Sequence, residues 1–386
     1  MILSETVRRL ERALRGAAGA LSVLDRTAEV LLDAVPADVW CAVILDPATL
    51  LDTGGQHAHG FPEGSMRRLF EIEHVEQDDV DNLRALARRS GAASLLSRST
   101  HGRLDDSKYY REILEPLGLA DELRVLLRHG PHTWGLFVLC RDTHSPPFSP
   151  AEFAAAEALS VPACAALRRS LLLSGVDGVD SRPLPDAPGW VVLDGDFRVR
   201  RMSPTAQHWI DQLQEANARD GMPDGGSGPV DSGHYVLRAL AVRARDETVG
   251  AGAHVRAPTG AGRWISLRAW PVEQGGEPTT VVSVGPTEPA ELTPLVLDVY
   301  GLTPRARQIA QKILVGRSTG EIARDLGVSE YTVQDHLKQV FDKVGVRSRR
   351  ELVGELFFRH YLPQLAHPPL ATDGRLLSDP SPPPRG

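Results

Sequence analysis

Between Glu330 and Lys338 the sequence sets Tyr331, Thr332, Gln334 and Asp335 around the apolar pair Val333 and Leu337. Wound as a helix, this stretch buries valine and leucine on one side and turns phenol, hydroxyl, amide, carboxylate and amine groups to the other. Such groups read base edges: a glutamine amide matches adenine and a carboxylate accepts from cytosine N4. Gln334 and Asp335 can do this, and either can equally remain solvated. Cations follow at Lys343, Arg347, Arg349 and Arg350, the side chains that neutralise phosphate charge. Ser329, just ahead, is the type of residue that caps a helix and donates to phosphate. The chemistry implied is recognition of double-stranded DNA.

The surrounding signals predict helices that can hold these groups in place. Thr303-Pro304 reads as an N-cap followed by proline at the first helical position, and Ile309, Ile313 and Leu314 continue at helical spacing up to Gly316. Ser318-Thr319-Gly320-Glu321 is a capping box, after which Ile322, Ala323 and Leu326 face inward and Gly327 makes a turn. From Ser329 the apolar face is Val333, Leu337, Val340 and Val344, ending at Gly345. Ser348-Arg349-Arg350-Glu351 opens a last helix through Leu352, Leu356 and Phe357. Two helices joined by a short glycine turn form a helix-turn-helix, whose second helix enters the major groove.

Leu302-Thr303-Pro304-Arg305, Glu321-Ile322-Ala323, Leu326-Gly327-Val328-Ser329, Thr332-Val333, His336, Lys343, Gly345-Val346-Arg347 and Arg349 resemble the LuxR-type helix-turn-helix family of bacterial transcription regulators. The resemblance covers residues 302–353 without gaps and implies a four-helix DNA-binding module with contacts from Ser329, Tyr331, Thr332, Gln334, Asp335, Lys338, Lys343 and Arg347. The departures matter. That family usually has glutamate where Ala306 stands, lysines at Tyr331 and Gln334, and threonine at Asp335. The recognition helix is therefore poor in lysine, and phosphate attraction shifts to Lys338, Lys343 and the arginines at 347, 349 and 350.

Charge supports the placement. Residues 294–361 hold eleven Lys or Arg against eight Asp or Glu, a balance of +3, which leaves −10 for the rest of a chain of net charge −7. So modest a surplus predicts weak binding by one module, and pairing of two copies on a two-fold site is the usual remedy. Three scattered cysteines, Cys41, Cys140 and Cys164, make neither a disulfide framework nor a zinc site. The N-terminus lacks a signal-peptide pattern and no apolar run is long enough for a membrane span, so a cytoplasmic protein is expected.

Upstream, the expected class is α+β multidomain. Residues 1–35 read as an amphipathic helix, Val39–Leu45 as a buried strand, and Leu50–Gly55 as a second strand and turn. Helical segments follow at 63–73, 79–89 and 108–114, then strands at 123–127 and 133–139, then a helix opened by Ser149-Pro150-Ala151-Glu152. Phe148-Ser149-Pro150-Ala151-Glu152 and this element order resemble a GAF domain, a small-molecule sensor fold whose terminal helices often pair in dimers. No chromophore cysteine or cyclic-nucleotide motif stands out. Trp40 and Trp134, both on expected strands, are core residues or line a ligand pocket.

After a Gly-, Asp- and Pro-rich linker at 174–188 come strands at 190–194 and 197–202, a helix from Ser203-Pro204, a Gly-rich stretch at 219–233, a helix at 235–245, and strands at 262–271 and 279–284. This order resembles a PAS-like domain, although Arg201-Met202-Ser203 stands where that family usually has asparagine. The expected boundaries are 1–173 GAF-like, 174–188 linker, 189–287 PAS-like, 294–361 LuxR-type module and 365–386 disordered tail. No internal repeat is visible.

Other motifs dissolve on inspection. His57-Ala58-His59 has no further ligand at metal spacing and sits among loop glycines. The glycines at 175–178 and 221–228 lack the Gly-Lys-Ser/Thr of a phosphate loop. Neither a catalytic triad order nor a kinase motif set is present, so no catalytic residues, cofactor or metal are assigned. Two functions stay open: a transcription regulator whose sensor domains, with a possible small-molecule ligand in the GAF-like one, control DNA binding, and a signalling scaffold whose modules bind protein partners.

Overall fold

The computed structural model describes residues 2–17, 19–56, 63–177, 185, 188–218, 232–246, 252–259, 263–274 and 277–361. His57-Ala58-His59, the glycines at 221–228, most of 174–188 and the tail at 365–386 lie outside the described residues. The chain forms two units, the first reaching Pro286 and the second continuing from Thr287. Among the described residues no helix is long and apolar enough to cross a membrane.

The first unit holds two α+β lobes. The first lobe starts with α1 (Ile2–Leu14) and α2 (Ala20–Ala34), not one helix; glycines at 16 and 19 favour the break. It continues through β1 (Val39–Leu45), β2 (Asp52–Gln56), α3 (Glu63–Glu71) with a π-helical turn at Ile72–Glu76, α4 (Leu83–Arg88), β3 (Ala93–Leu95), α5 (Leu96–Ser99), β4 (Leu119–His129), β5 (His132–Asp142) and α6 (Pro150–Asp177). The strands pair antiparallel in the order β2-β1-β5-β4-β3. Gly54 and Gly55, read as a turn, lie inside β2. A Cβ on Gly55 would stand 2.2 Å from the Ala42 carbonyl oxygen, so only glycine lets β2 approach β1 there.

On one face of this sheet Leu45, Ile72, Leu83, Leu114, Leu126 and Leu136 form an apolar core. On the other, Leu167 of α6 reaches Gly135 and the Ser160 hydroxyl donates to the Leu126 carbonyl. The start of α6 carries the expected reciprocal cap. Ser149 N–H donates to Glu152 Oε2 at 2.7 Å, and Glu152 N–H donates to the Ser149 hydroxyl at 3.2 Å.

The second lobe comprises β6 (Gly189–Leu193), β7 (Val199–Met202), α7 (Pro204–Ala218), α8 (Ser232–Ala244), β8 (Ala253–Pro258), β9 (Trp264–Gln274) and β10 (Glu277–Pro286). Its antiparallel order is β7-β6-β10-β9-β8, the same path through the sheet as in the first lobe. The sequence shows no repeat, yet the fold does, because sheet order depends on which strands are adjacent and not on residue identity. The two lobes are tied by a buried ion pair. Asp46, at the end of β1, accepts from the Arg256 backbone N–H at 2.9 Å, Nε at 3.1 Å and a terminal guanidinium nitrogen at 2.6 Å. A guanidinium nitrogen of Arg243 on α8 also donates to the His74 carbonyl at 3.0 Å.

The second unit is all helical: α9 (Pro289–Val299), α10 (Pro304–Leu314), α11 (Thr319–Leu326), α12 (Glu330–Val344) and α13 (Arg349–Leu356), closed by a π-helical turn at Phe357–Tyr361. Helix α9 begins ahead of residue 294, where the module was expected to start. It is held by an Asp298–Arg307 ion pair, a Thr293–Tyr361 hydroxyl contact, and a hydrogen bond between Tyr300 and His360 Nε2 at 2.9 Å just beyond its end.

Candidate nucleic-acid interface and candidate ligand cavity

Local chemistry sets the α11–α12 pair. The Ser318 hydroxyl accepts from Glu321 N–H at 3.3 Å, while the Glu321 carboxylate accepts from Ser318 N–H at 2.8 Å. Hydrogen bonds from the Ser318 backbone and hydroxyl, with help from Arg317, pull the Glu321 carboxyl down to about 2. Because that value lies below the ordinary 4.5, the cap is complete at neutral pH and is lost only as pH falls towards about 2. Replacing Ser318 by alanine should cost about 1 kcal/mol and speed amide exchange in α11 roughly fivefold, as read by mass spectrometry at neutral pH. Unchanged exchange would contradict the cap's importance.

Gly327 takes φ 63° at the turn, a conformation that favours glycine, and so lets α12 leave at an angle. Ser329 then caps α12, its hydroxyl accepting from Thr332 N–H at 3.1 Å. Val333, Leu337, Val340 and Val344 are buried as their spacing predicts. Tyr331, Gln334, Asp335 and Lys338 are exposed at i, i+3, i+4 and i+7, which makes one polar strip about 10 Å long. Tyr331 is 84% exposed, an unusual position for a tyrosine ring. Of the other caps, Thr303 accepts from Ala306 N–H at 3.2 Å although residue 306 offers no carboxylate. Glu351 at α13 reaches the Arg347 N–H at 2.7 Å instead of that of Ser348.

The strip is braced by residues that spacing did not disclose. Gln334 donates from Nε2 to the Thr319 hydroxyl oxygen at 3.2 Å, and Arg349 donates to the same oxygen at 2.7 Å and to the Arg317 carbonyl at 3.0 Å. Asp335 accepts from Gln339 at 3.2 Å. Lys343 is turned towards its own module, its amine donating to the Gly301 carbonyl. The structure thus gathers Ser329, Tyr331, Thr332, Gln334, Asp335 and Lys338 on one stretch of helix. Arg347 lies beyond its end, and Lys343 is engaged internally.

In the first unit a cavity of about 110 Å³ lies against the first sheet. Alternate residues supply its apolar wall, Val43 and Leu45 from β1 and Leu136 and Val138 from β5, with Met66 and Leu69 from α3. Trp40 falls on the opposite face of β1 and is half-buried; Trp134 is fully buried beside a bulge in β5. Neither tryptophan lines this cavity, for Cys41, Val43 and Leu45 take the cavity side of β1.

The polar wall is Asp52, Glu73, His74, Tyr109, Arg124 and, from α8 of the second lobe, Tyr235. Arg124 is 5% exposed and is clamped by Glu122 and Glu73, each at 2.5 Å, with its guanidinium over the Tyr109 ring at 5.0 Å. Glu73 also accepts from Leu83 N–H at 3.1 Å and Asn82 Nδ2 at 3.3 Å. Burial pushes His74 down to about 4 and the Cys41 thiol up to about 12, so both are uncharged at neutral pH. Burial also raises Glu122, while Arg124 pulls it the other way.

Residues 301–355 match the family model described as bacterial regulatory proteins, luxR family, and residues 2–167 match the GAF domain model. Among relatives, the spore germination protein GerE of Bacillus subtilis is 38% identical over 55 residues, which is 14% of this chain and 74% of that protein. The CsgBAC operon transcriptional regulatory protein of Escherichia coli is 44% identical over 52 residues, and the chain spans only 24% of its length. Among solved structures, the Vibrio cholerae VqmA dimer aligns at 17% identity over 46% of this chain and 84% of that one, with a TM-score of 0.19. The GAF domain of the cyanobacteriochrome TePixJ aligns at 16% identity over 42% of this chain and 94% of that one, with a TM-score of 0.29.

Proposed function

The chain belongs to the luxR family of bacterial regulatory proteins, and we propose that it is a cytoplasmic, non-enzymatic transcription regulator that reads the DNA major groove with α12 under the control of its two sensor lobes. The observation that carries this reading is the exposed strip of Tyr331, Gln334, Asp335 and Lys338 on a helix whose opposite side is fully buried. With its amide nitrogen bonded to Thr319, Gln334 keeps its carbonyl oxygen as an acceptor for adenine N6 or cytosine N4. Ser329, Thr332, Lys338 and Arg347 reach for the backbone, and Lys343 acts through its hold on Gly301. Two copies act as a homodimer, since one module with so small a cationic surplus binds weakly. The second lobe is a PAS-like partner to the GAF-like first lobe. A signal there changes the pairing of two copies and so the reach of two recognition helices.

Genome-wide mapping of fragments bound by the purified protein tests this. A shared sequence among recovered fragments is expected; random recovery would favour the scaffold reading that the carboxylates of Glu330 and Asp335 motivate. On the recovered sequence, Gln334→Ala should cost about 1–3 kcal/mol and relax preference at one base pair. Lys338→Ala should weaken all duplexes alike and lower the salt slope by about 1. Polarisation titrations separate the two, and identical behaviour of both variants would contradict these roles.

A further inference from the structure

Of the two candidate base readers on α12, Asp335 bonds Gln339 on its own helix, whereas Gln334 reaches across to α11. Its Nε2 donates to the hydroxyl oxygen of Thr319, the first residue of α11, at 3.2 Å. Arg349 donates to the same oxygen at 2.7 Å and to the Arg317 carbonyl at 3.0 Å. A hydroxyl oxygen has two lone pairs, and these two donors occupy both, so Thr319 is held from two sides. One turn earlier on α12, Glu330 follows the same line: a Cβ on Gly320 would stand 3.0 Å from its carboxylate oxygen. Glu330 and Gln334 therefore both lie along the start of α11. The cap of α11 is made by Ser318 and completed by Glu321, so the Thr319 hydroxyl is not spent on holding the helix start. A glutamine free in water samples many rotamers and gives up that freedom on meeting a base. One that is already held loses less and offers the base pair one placement of its amide, which sharpens discrimination.

We infer that Thr319 is a positioning residue for base recognition: its hydroxyl, fixed by Arg349, holds the Gln334 amide, and the preference at the base pair Gln334 reads depends on that hold. The inference rests on the reading of DNA by α12 proposed above and adds to it a specificity determinant outside α12.

The test is competition polarisation on the full chain, using the recovered duplex and its single base-pair variants. Gln334→Ala first marks the base pair at which preference is lost. Thr319→Val keeps the branched shape and removes the hydroxyl. It should lose about three- to tenfold of the discrimination at that same pair and leave the other pairs and the salt slope as in the native chain. Thr319→Ser should restore the preference. In a chain that already carries Gln334→Ala, Thr319→Val should change nothing further, because members of one interaction do not add. A Thr319→Val chain with native preference at the pair that Gln334→Ala relaxes would overturn the positioning role and leave DNA reading standing. Equal weakening on every duplex would do the same, since it marks a structural or phosphate role. If Gln334→Ala relaxes no pair at all, the positioning role falls together with base reading by Gln334. Should Thr319→Val not fold, nitrogen-15 relaxation of the Gln334 side-chain amide in the native chain decides: restriction close to that of the backbone supports the hold, and the motion of a free side chain overturns it.

Discussion

Replacing Asp46 by alanine is expected to destabilise the first unit by about 3–5 kcal/mol, because it strips the carboxylate from a buried guanidinium. Asp46 and Arg256 lie 210 positions apart, one on each lobe, with side-chain exposures of 0% and 8%. Three donors of Arg256 converge on the two oxygens, and Asp46 Oδ1 also accepts from Ala48 N–H at 3.0 Å. In water an exposed pair of this kind contributes at most about 1 kcal/mol. Here the penalty comes from removing a buried carboxylate that accepts from three Arg256 donors, so Asp46→Asn, which keeps the shape and some hydrogen bonds, should fall between wild type and alanine. Urea unfolding followed by tryptophan fluorescence measures the loss. A change below about 1 kcal/mol would show that the lobes do not depend on this tie.

Replacing Arg124 by methionine should have an effect of similar size, about 3–5 kcal/mol, but with a distinctive pH dependence. The guanidinium separates Glu122 from Glu73 under the sheet, with all three side chains at 10% exposure or less. Without it, burial and repulsion from the Glu73 carboxylate raise Glu122 further in the folded state. A group whose folded value lies above its unfolded value binds its proton more tightly when folded, so folding is favoured as pH falls through the raised value. The variant's deficit should therefore be largest near pH 8 and shrink towards pH 5. A deficit independent of pH would mean that lost packing, and not uncompensated charge, sets the cost.

Helix α12 was legible because every signal for it is local. A serine cap, a glycine stop and one stripe of valine and leucine lie within a single helix length, and the structure reproduces them residue for residue. The middles of the long strands β4 and β5, at 123–127 and 133–139, were visible as apolar runs on either side of the Gly130-Pro131 turn, but not their full lengths. Long-range pairing left no such trace. Thr319 and Arg349 meet across 30 positions to brace Gln334, and Lys343 folds back 42 positions to Gly301. In the sequence both cations read simply as phosphate ligands. Strand β3, three residues long, is too short to show a period, and β8, six residues ending in a proline, falls in no expected strand. The tryptophans are the largest residues on these strands, whereas the cavity belongs to the smaller Cys41, Val43 and Leu45 on the other face of β1.

The most direct test of DNA reading by α12 is a polarisation titration of the recovered duplex and a scrambled duplex of equal length, from about 50 to 200 mM salt. The proposal predicts that the recovered sequence binds at least about a thousandfold more tightly and that both affinities fall steeply with salt. Equal affinity for the two duplexes, or no binding even at the lowest salt, would contradict it.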